Sequence, residues 1–224
     1  MPETVKRDSL VDQVYNILRG QIIRLRYPLG SRLNVNEIKN DLNVSSTPIR
    51  EAVNRLQQEG LISYENNVGA TIIALDDHDV DEINQLAGTL HKKAIQLAID
   101  YGNRDDIVAA LDHWLAAYKA ADNIEDEVTA VFNFIGTYYR NCGNERLHRS
   151  MINIQGQQLV LRYLYAHSSD ERAKDSRVFE EMLRATREGD NDVTYLWLKK
   201  YTEDSARDVK EYIHRTYPRA AELS

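Results

Sequence analysis

The spacing of apolar side chains changes once within the first 75 residues, and this change limits the folds open to the chain. Up to residue 60, apolar residues recur every three or four positions, which is the period of a helix that buries one face. From Leu61 to Ala74, β-prone residues form two short runs around the polar segment 65–69, which is typical of a hairpin. The sequence therefore predicts helices followed by a single hairpin.

Turn-forming and capping residues divide the helical part of this region into three segments. A first helix covers residues 9–26, and a second begins after Asn34, which is a favourable N-cap. A third has Thr47 as its N-cap and Pro48 at its first helical position, and Gly60 ends it. Three helices and a hairpin in this order predict a winged helix-turn-helix.

The remainder of the chain has the helical period throughout. Each break carries Gly, Asn, Asp or Ser, the residues that end and restart helices. The predicted helices cover residues 78–101, 104–121, 123–141, 144–168, 170–188 and 191–216. We expect them to pack as a bundle of six or more helices. The predicted fold is mostly α, with a winged helix-turn-helix domain at 1–75 and an all-helical domain at 76–224.

Composition excludes several classes of protein. Of the 224 residues 42% are hydrophobic, so a sizeable core can form, yet no apolar run reaches the roughly 18 residues of a membrane span. The single cysteine, Cys142, excludes an internal disulfide and a Cys-rich zinc site, and it is typical of a reducing cytoplasm. No nucleophile–base pair, Gly-rich phosphate loop or metal-binding motif is present, so we do not expect an enzyme.

Charge is distributed unevenly along the chain. Residues 1–75 hold 9 basic and 8 acidic residues, whereas the remainder holds 19 basic and 27 acidic ones. A nearly neutral domain can still bind DNA if its arginines lie on one face, because phosphate charges are neutralised locally.

The N-terminus of the predicted third helix carries residue types suited to DNA. Helix N-termini favour phosphate, and arginine can bind guanine through O6 and N7. A solvated helix face, or a winged helix that binds protein, would show the same spacing, so both alternatives remain open. The candidate DNA contacts are Arg32, Ser45, Ser46, Thr47, Arg50, Arg55, Asn67 and Gly69.

Residues 10–75 resemble the N-terminal domain of GntR-family regulators. The segments that carry the resemblance are Tyr27–Leu33, Val44–Val53, Arg55–Leu56, Glu59–Ile62 and Gly69. The resemblance implies that the partner is double-stranded operator DNA, contacted by Arg32 and Arg50, with Thr47 on a phosphate and the wing near the minor groove. Ser46 stands where the family usually has an arginine, so one expected contact is missing from this chain.

The helical remainder resembles the ligand-binding domain of the FadR subgroup of that family. Many such domains bind a divalent metal through one Asp and three His, and the corresponding positions here are Val131, Ile135, Phe179 and Tyr201. Since none of the first three can ligate a metal, we expect no metal and no other cofactor.

Two interpretations of the helical domain remain open. In the first, a small organic effector binds among Ile135, Gln158, Arg162, Phe179 and Tyr201. In the second, these side chains fill the core, and the domain acts mainly as a dimerisation module. Either way, we expect a homodimeric transcriptional regulator that binds operator DNA and does not enter a membrane.

Overall fold

The described residues, 9–65, 69–168 and 172–217, form nine helices and one two-stranded sheet in the computed structural model. The N-terminal elements are α1 (Leu10–Ile23), α2 (Val35–Leu42), α3 (Ser46–Gln58), β1 (Ile62–Glu65) and β2 (Gly69–Ile72). The remaining helices are α4 (Asp77–Tyr101), α5 (Arg104–Ala120), α6 (Ile124–Asn141), α7 (Glu145–Ser168), α8 (Arg172–Glu188) and α9 (Asn191–Thr216). Over the described part of the chain, no helix is long and apolar enough to cross a bilayer.

Side-chain caps fix the starts of the first two helices. Ser9 and Asp12 form a capping box at α1, and Asn34 accepts a hydrogen bond of 3.0 Å from the backbone N–H of Asn36 at α2. The helix α2 ends at Leu42, and its C-cap Asn43 has a left-handed φ of 51°. The N-cap at Asn34 agrees with the sequence analysis.

The start of α3 differs from the prediction that Thr47 is its N-cap. The helix begins at Ser46 and its N-cap is Ser45, so Pro48 is the third residue of the helix. Proline is tolerated there because none of the first four N–H groups of a helix has a partner within the helix. Thr47 therefore lies inside the first turn.

The hairpin is extended by a segment that precedes α2. Strands β1 and β2 pair antiparallel, with Ile62 opposite Ile72. On the other side of β2, Arg32 forms a bridge with Thr71, and the N–H of Leu33 donates to the carbonyl of Ala70 at 2.8 Å. These bonds fix the position of Arg32 relative to the wing.

The six later helices form a bundle around α4. This helix packs against α6, α7 and α9, while α5 packs against α6 and α8. Buried apolar side chains form one continuous cluster from α1 to α9. The ends of the six helices lie within two residues of the predicted ends.

The N-terminal part contacts helix α7 of the bundle in two places. One is α1, and the other is the segment Glu59–Leu61, here called the α3–wing junction. The side chain of Arg24 pairs with Glu125 at 2.5 Å, and Gln157 Nε2 donates to the carbonyl of Gly60 at 3.4 Å. A Cβ atom placed on Gly156 would lie 3.0 Å from Leu61 Cδ1. A side chain at this position would require Leu61 to shift by a few tenths of an ångström, so glycine favours this close approach of α7 to the junction.

Candidate nucleic-acid interface and effector cavity

Residues from α2, α3 and the wing surround a concave surface, here called the head groove, with a volume of about 740 Å³. Three of the predicted DNA contacts, Arg32, Arg50 and Gly69, line it from three separate elements. A surface of this shape can follow a duplex, with the recognition helix in the major groove and the wing alongside it.

Arg32 lies beside the wing. A Cβ atom on Gly69 would be 3.7 Å from Arg32 Nη2, and Gly69 has a φ of +96° that favours glycine. The backbone bridge and this side-chain contact place the Arg32 guanidinium next to the hairpin. Asn67, the other predicted contact at the tip, lies outside the described residues.

The first turn of α3 presents hydroxyl groups and backbone N–H groups. Ser45 and Thr47 are exposed, while Ser46 is half-buried, and Ser45 makes no side-chain capping bond. Because the first N–H groups of a helix have no partner within it and carry a partial positive charge, this end of α3 suits a phosphate.

Arg50 and Arg55 have different surroundings although both lie on α3. Arg50 is exposed and lines the head groove. Arg55 pairs with Asp12 at 2.7 Å, and its guanidinium carbon lies 3.9 Å from the ring centroid of Tyr15. A hydrogen bond from Ser9, and then Arg55, hold the pKa of the Asp12 carboxyl below its usual value. Arg55 thus contributes to α1–α3 packing, and its contact with DNA stays a prediction.

Five polar residues of the head groove were not predicted as DNA contacts, namely Asn34, Asn36, Glu37, Asn54 and Tyr64. Asn54 lies one turn after Arg50 on the exposed face of α3, Asn36 lies near the start of α2, and the β1 residue Tyr64 is 61% exposed. The spacing of four residues from Arg50 was a signal for Asn54. Asparagine can pair with adenine in the major groove, so Asn54 adds a candidate base contact.

The five predicted effector residues do not share one cavity. Ile135, Gln158 and Arg162 line a cavity of about 230 Å³ between α6 and α7, next to α4. Gln158, Arg162 and Tyr201 line a second space of only about 30 Å³, which is the size of one water molecule.

Phe179 belongs to the packed core and lines neither space. It is 1% exposed, and its ring centroid lies 5.1–5.2 Å from those of Tyr118, Phe134 and Tyr201. Such offset and edge contacts between rings stabilise a core. The aromatic stripe that suggested a pocket is therefore largely packing at this position.

A buried histidine lies between the two spaces. His91 is 3% exposed, and its Nδ1 atom shares a hydrogen bond of 2.8 Å with Tyr139 Oη. Burial, and to a smaller extent the nearby Arg162, lower the pKa of His91 to about 3. His91 is therefore a neutral group at physiological pH.

Comparison with known proteins identifies both parts of the chain. The family model "Bacterial regulatory proteins, gntR family" matches residues 10–72, and the model "FCD domain" matches residues 82–203. The second match alone covers more than half of the chain. The chain belongs to the GntR family of regulators with an FCD domain. The resemblance found in the sequence is confirmed.

Relatives of this GntR-family regulator are named as transcriptional regulators, not as enzymes. It is 24% identical to the HTH-type transcriptional regulator YdhC of Bacillus subtilis (strain 168) over 184 residues, 79% of this chain and 82% of the relative. It is 23% identical to the Nta operon transcriptional regulator of Aminobacter aminovorans over 195 residues, covering 87% and 86% of the two chains.

Two solved structures have the same fold over nearly the whole regulator. The structure of McbR/YncC from E. coli superposes with a TM-score of 0.74 at 20% identity, covering 92% of this chain and 99% of the other. A GntR regulator from Rhodococcus sp. RHA1 gives a TM-score of 0.73 at 21% identity, with 90% and 98% covered. The predicted fold class, a winged helix-turn-helix followed by a helical bundle, is confirmed.

Buried apolar and aromatic side chains occupy the four metal-ligand positions in this regulator. Val131, Ile135, Phe179 and Tyr201 are 1–6% exposed. Burial raises the pKa of the Tyr201 hydroxyl, so the deprotonated form that could bind a metal is disfavoured. Within the described ranges, no three His, Cys, Asp or Glu side chains converge on one point.

Proposed function

We propose that this GntR-family regulator recognises a specific operator through the head groove. Arg50 and the first turn of α3 would enter the major groove, with Thr47 and the two serines on phosphates, and Arg32 and Gly69 would reach the adjacent minor groove. The observation that carries the proposal is the convergence of Arg32, Arg50 and Gly69 on one concave surface.

Replacing Arg50 by alanine tests this proposal. The operator would be selected from a random duplex library with the wild-type protein, and affinities would be measured at one fixed salt concentration. We expect specific binding to be lost, with affinity falling by about 10- to 100-fold, since a bidentate arginine–guanine contact contributes about 1–3 kcal/mol. Arg146→Ala, at an exposed arginine of α7, is the matched control. An unchanged operator affinity of Arg50→Ala would refute the assignment.

We further propose that the helical part, from residue 76 onward, senses a small organic effector without a bound metal. The cavity beside Ile135, Gln158 and Arg162 supports this function. Elemental analysis of protein purified without chelators should find no stoichiometric metal, and a stoichiometric transition metal would contradict the proposal. The second candidate, a ligand-free dimerisation module, is favoured by the tight packing of Phe179, and a metabolite thermal-shift screen distinguishes the two.

The regulator is proposed to act as a homodimer in the cytoplasm, where operator DNA lies. Helix-turn-helix dimers bind two half-sites about one helical turn apart or at multiples of that distance. An effector that changes the positions of the two heads would change the fit to such an operator.

A further inference from the structure

The cavity between α6 and α7, here called the α6–α7 crevice, has a mainly apolar wall. Phe132 and Ile135 of α6 face Met151 and Ile152 of α7 across it. Ile152 is 48% exposed, although it is a large apolar residue, so the crevice opens to solvent on this side. An apolar wall around a small opening favours a compact apolar group as the occupant.

The charged groups of the crevice are of one sign. Among the described residues, Arg140 and Arg162 line it and no Asp or Glu does. Arg140 donates through Nη2 to the carbonyl of Asn133 at 2.9 Å and to Thr137 Oγ1 at 3.1 Å, which orients its guanidinium at the wall. Arg140 is exposed as a residue, and partial burial of its side chain lowers its pKa. Its guanidinium therefore lies at the open side of the crevice, where it can pair with an anion.

The volume of the crevice limits the size of its occupant. A cavity of about 150 Å³ holds benzene, and sites for drug-sized ligands start at about 300 Å³. The crevice, at about 230 Å³, lies between these limits. One aromatic ring with a short anionic side chain has the right size and charge.

We propose that the α6–α7 crevice binds a single-ring organic anion and that α7 transmits its occupancy to the α3–wing junction. This inference rests on the proposed function, because it specifies the effector and the path by which the effector acts on DNA binding. Of the four metal-ligand positions only Ile135 lines the crevice, whereas Val131, Phe179 and Tyr201 do not, so the crevice borders the metal-ligand positions without including most of them.

Two adjacent faces of a single turn of α7 connect the crevice to the junction. Gln155 and Gln158 line the crevice, whereas Gly156 and Gln157 contact Gly60 and Leu61. Leu61 is the third residue after the end of α3 and directly precedes β1. A shift of α7 by a few tenths of an ångström would therefore change the packing between the recognition helix and the wing.

Phenylacetate is a suitable probe, and phenylacetamide is its uncharged analogue of the same shape. We expect phenylacetate, or the related benzoate and 3-phenylpropionate, to bind the full-length wild type in calorimetry, and the amides to bind at least about 10-fold more weakly. Arg140→Gln should reduce anion binding by a similar factor. Failure of all three anions to bind, or equal binding of the amides, would overturn the assignment.

A cavity-filling variant tests the location. A Cβ atom on Gly136, which lines the crevice, would meet only the flexible end of Arg140, so Gly136→Leu should fold, fill the crevice and abolish binding. Gly88→Leu is the matched control, because Gly88 is also a half-buried helical glycine but lies outside the crevice. Retained binding in Gly136→Leu would place the ligand outside the crevice. If Gly136→Leu does not fold, anion binding by Arg140→Gln tests the location instead.

Operator binding is measured separately, so that the two proposals fail in different ways. We expect the bound anion to change the operator affinity of the wild type by at least about 5-fold, and Gln157→Ala to reduce this change without loss of anion binding. Anion binding with an unchanged operator affinity would refute transmission through α7. If Arg50→Ala loses operator binding but the anions leave the operator affinity of the wild type unchanged, the proposed DNA function stands and this inference is refuted.

Discussion

His91 is a single residue whose environment makes stability depend on pH. It is neutral in the folded protein because burial lowers its pKa to about 3, whereas an unfolded histidine has a pKa of about 6.5. Below pH 6.5 the unfolded chain therefore binds one more proton at this position than the folded chain. Its contribution to stability is complete above pH 6.5 and is lost as the pH falls towards 3.

We predict that acidification from pH 6.5 to 5.5 lowers the free energy of unfolding by about 1 kcal/mol through His91 alone. Urea unfolding at both pH values should show this loss in the wild type and not in His91→Gln. The same substitution at His78, which is exposed, is the matched control and should leave the wild-type pH dependence in place. An equal loss in His91→Gln would show that His91 is not the group responsible.

At the scale of elements, Gly60 joins the recognition helix to the wing. Its φ of +68° costs an alanine about 1–2 kcal/mol, and a Cβ atom there would also collide with the side-chain amide of Gln157. Gly143 has a similar φ of +63° but nothing within 4 Å of the added Cβ, so it is a matched control.

We predict that Gly60→Ala lowers the free energy of unfolding more than Gly143→Ala does. The strain of the left-handed conformation is shared by the two variants, so the difference reports the contact between α7 and the junction. Adding Gln157→Ala should bring Gly60→Ala close to the control in urea unfolding. Equal losses in the two single variants would mean that this contact contributes little.

The ends of most elements could be predicted because local residues determine them. Gly102–Asn103 and Gly189–Asp190 end and restart helices, and the bundle helices start and stop near them as expected. The predicted end of α1 at residue 26 was late, since the helix ends at Ile23 and Leu25 has a positive φ of 56°. Leucine gives no sequence signal for that conformation, which depends on packing around it.

At the scale of the whole molecule, two copies are expected to bind one operator. We predict that sedimentation at concentrations that saturate the operator will give twice the chain mass of 25.8 kDa. The selected operator should contain two inverted half-sites, with centres separated by about 10 base pairs or a multiple of that distance. A particle of single chain mass, bound to one unrepeated site, would contradict the homodimer.

Long-range contacts made parts of the candidate sites inaccessible to sequence analysis. The bridge from Arg32 to Thr71 and the pair of Arg55 with Asp12 join residues about 40 positions apart. Residue type and local spacing suggested that Arg32, Arg50 and Arg55 are alike, and only tertiary packing separates them. In the same way, the space around Phe179 depends on rings from α5, α6 and α9, which periodicity does not place.

The close approach of Gly156 to Leu61 sets a rule for building hybrid biosensors from such proteins. A hybrid joins the DNA-binding part of one chain to the effector-binding part of another, and it binds the operator of the first chain. A Cβ atom at this position of α7 would lie only 3.0 Å from the leucine, so a side chain fits there only if the leucine moves. Partners for a working hybrid should therefore be chosen for small residues at this seam before any sensing residue is altered.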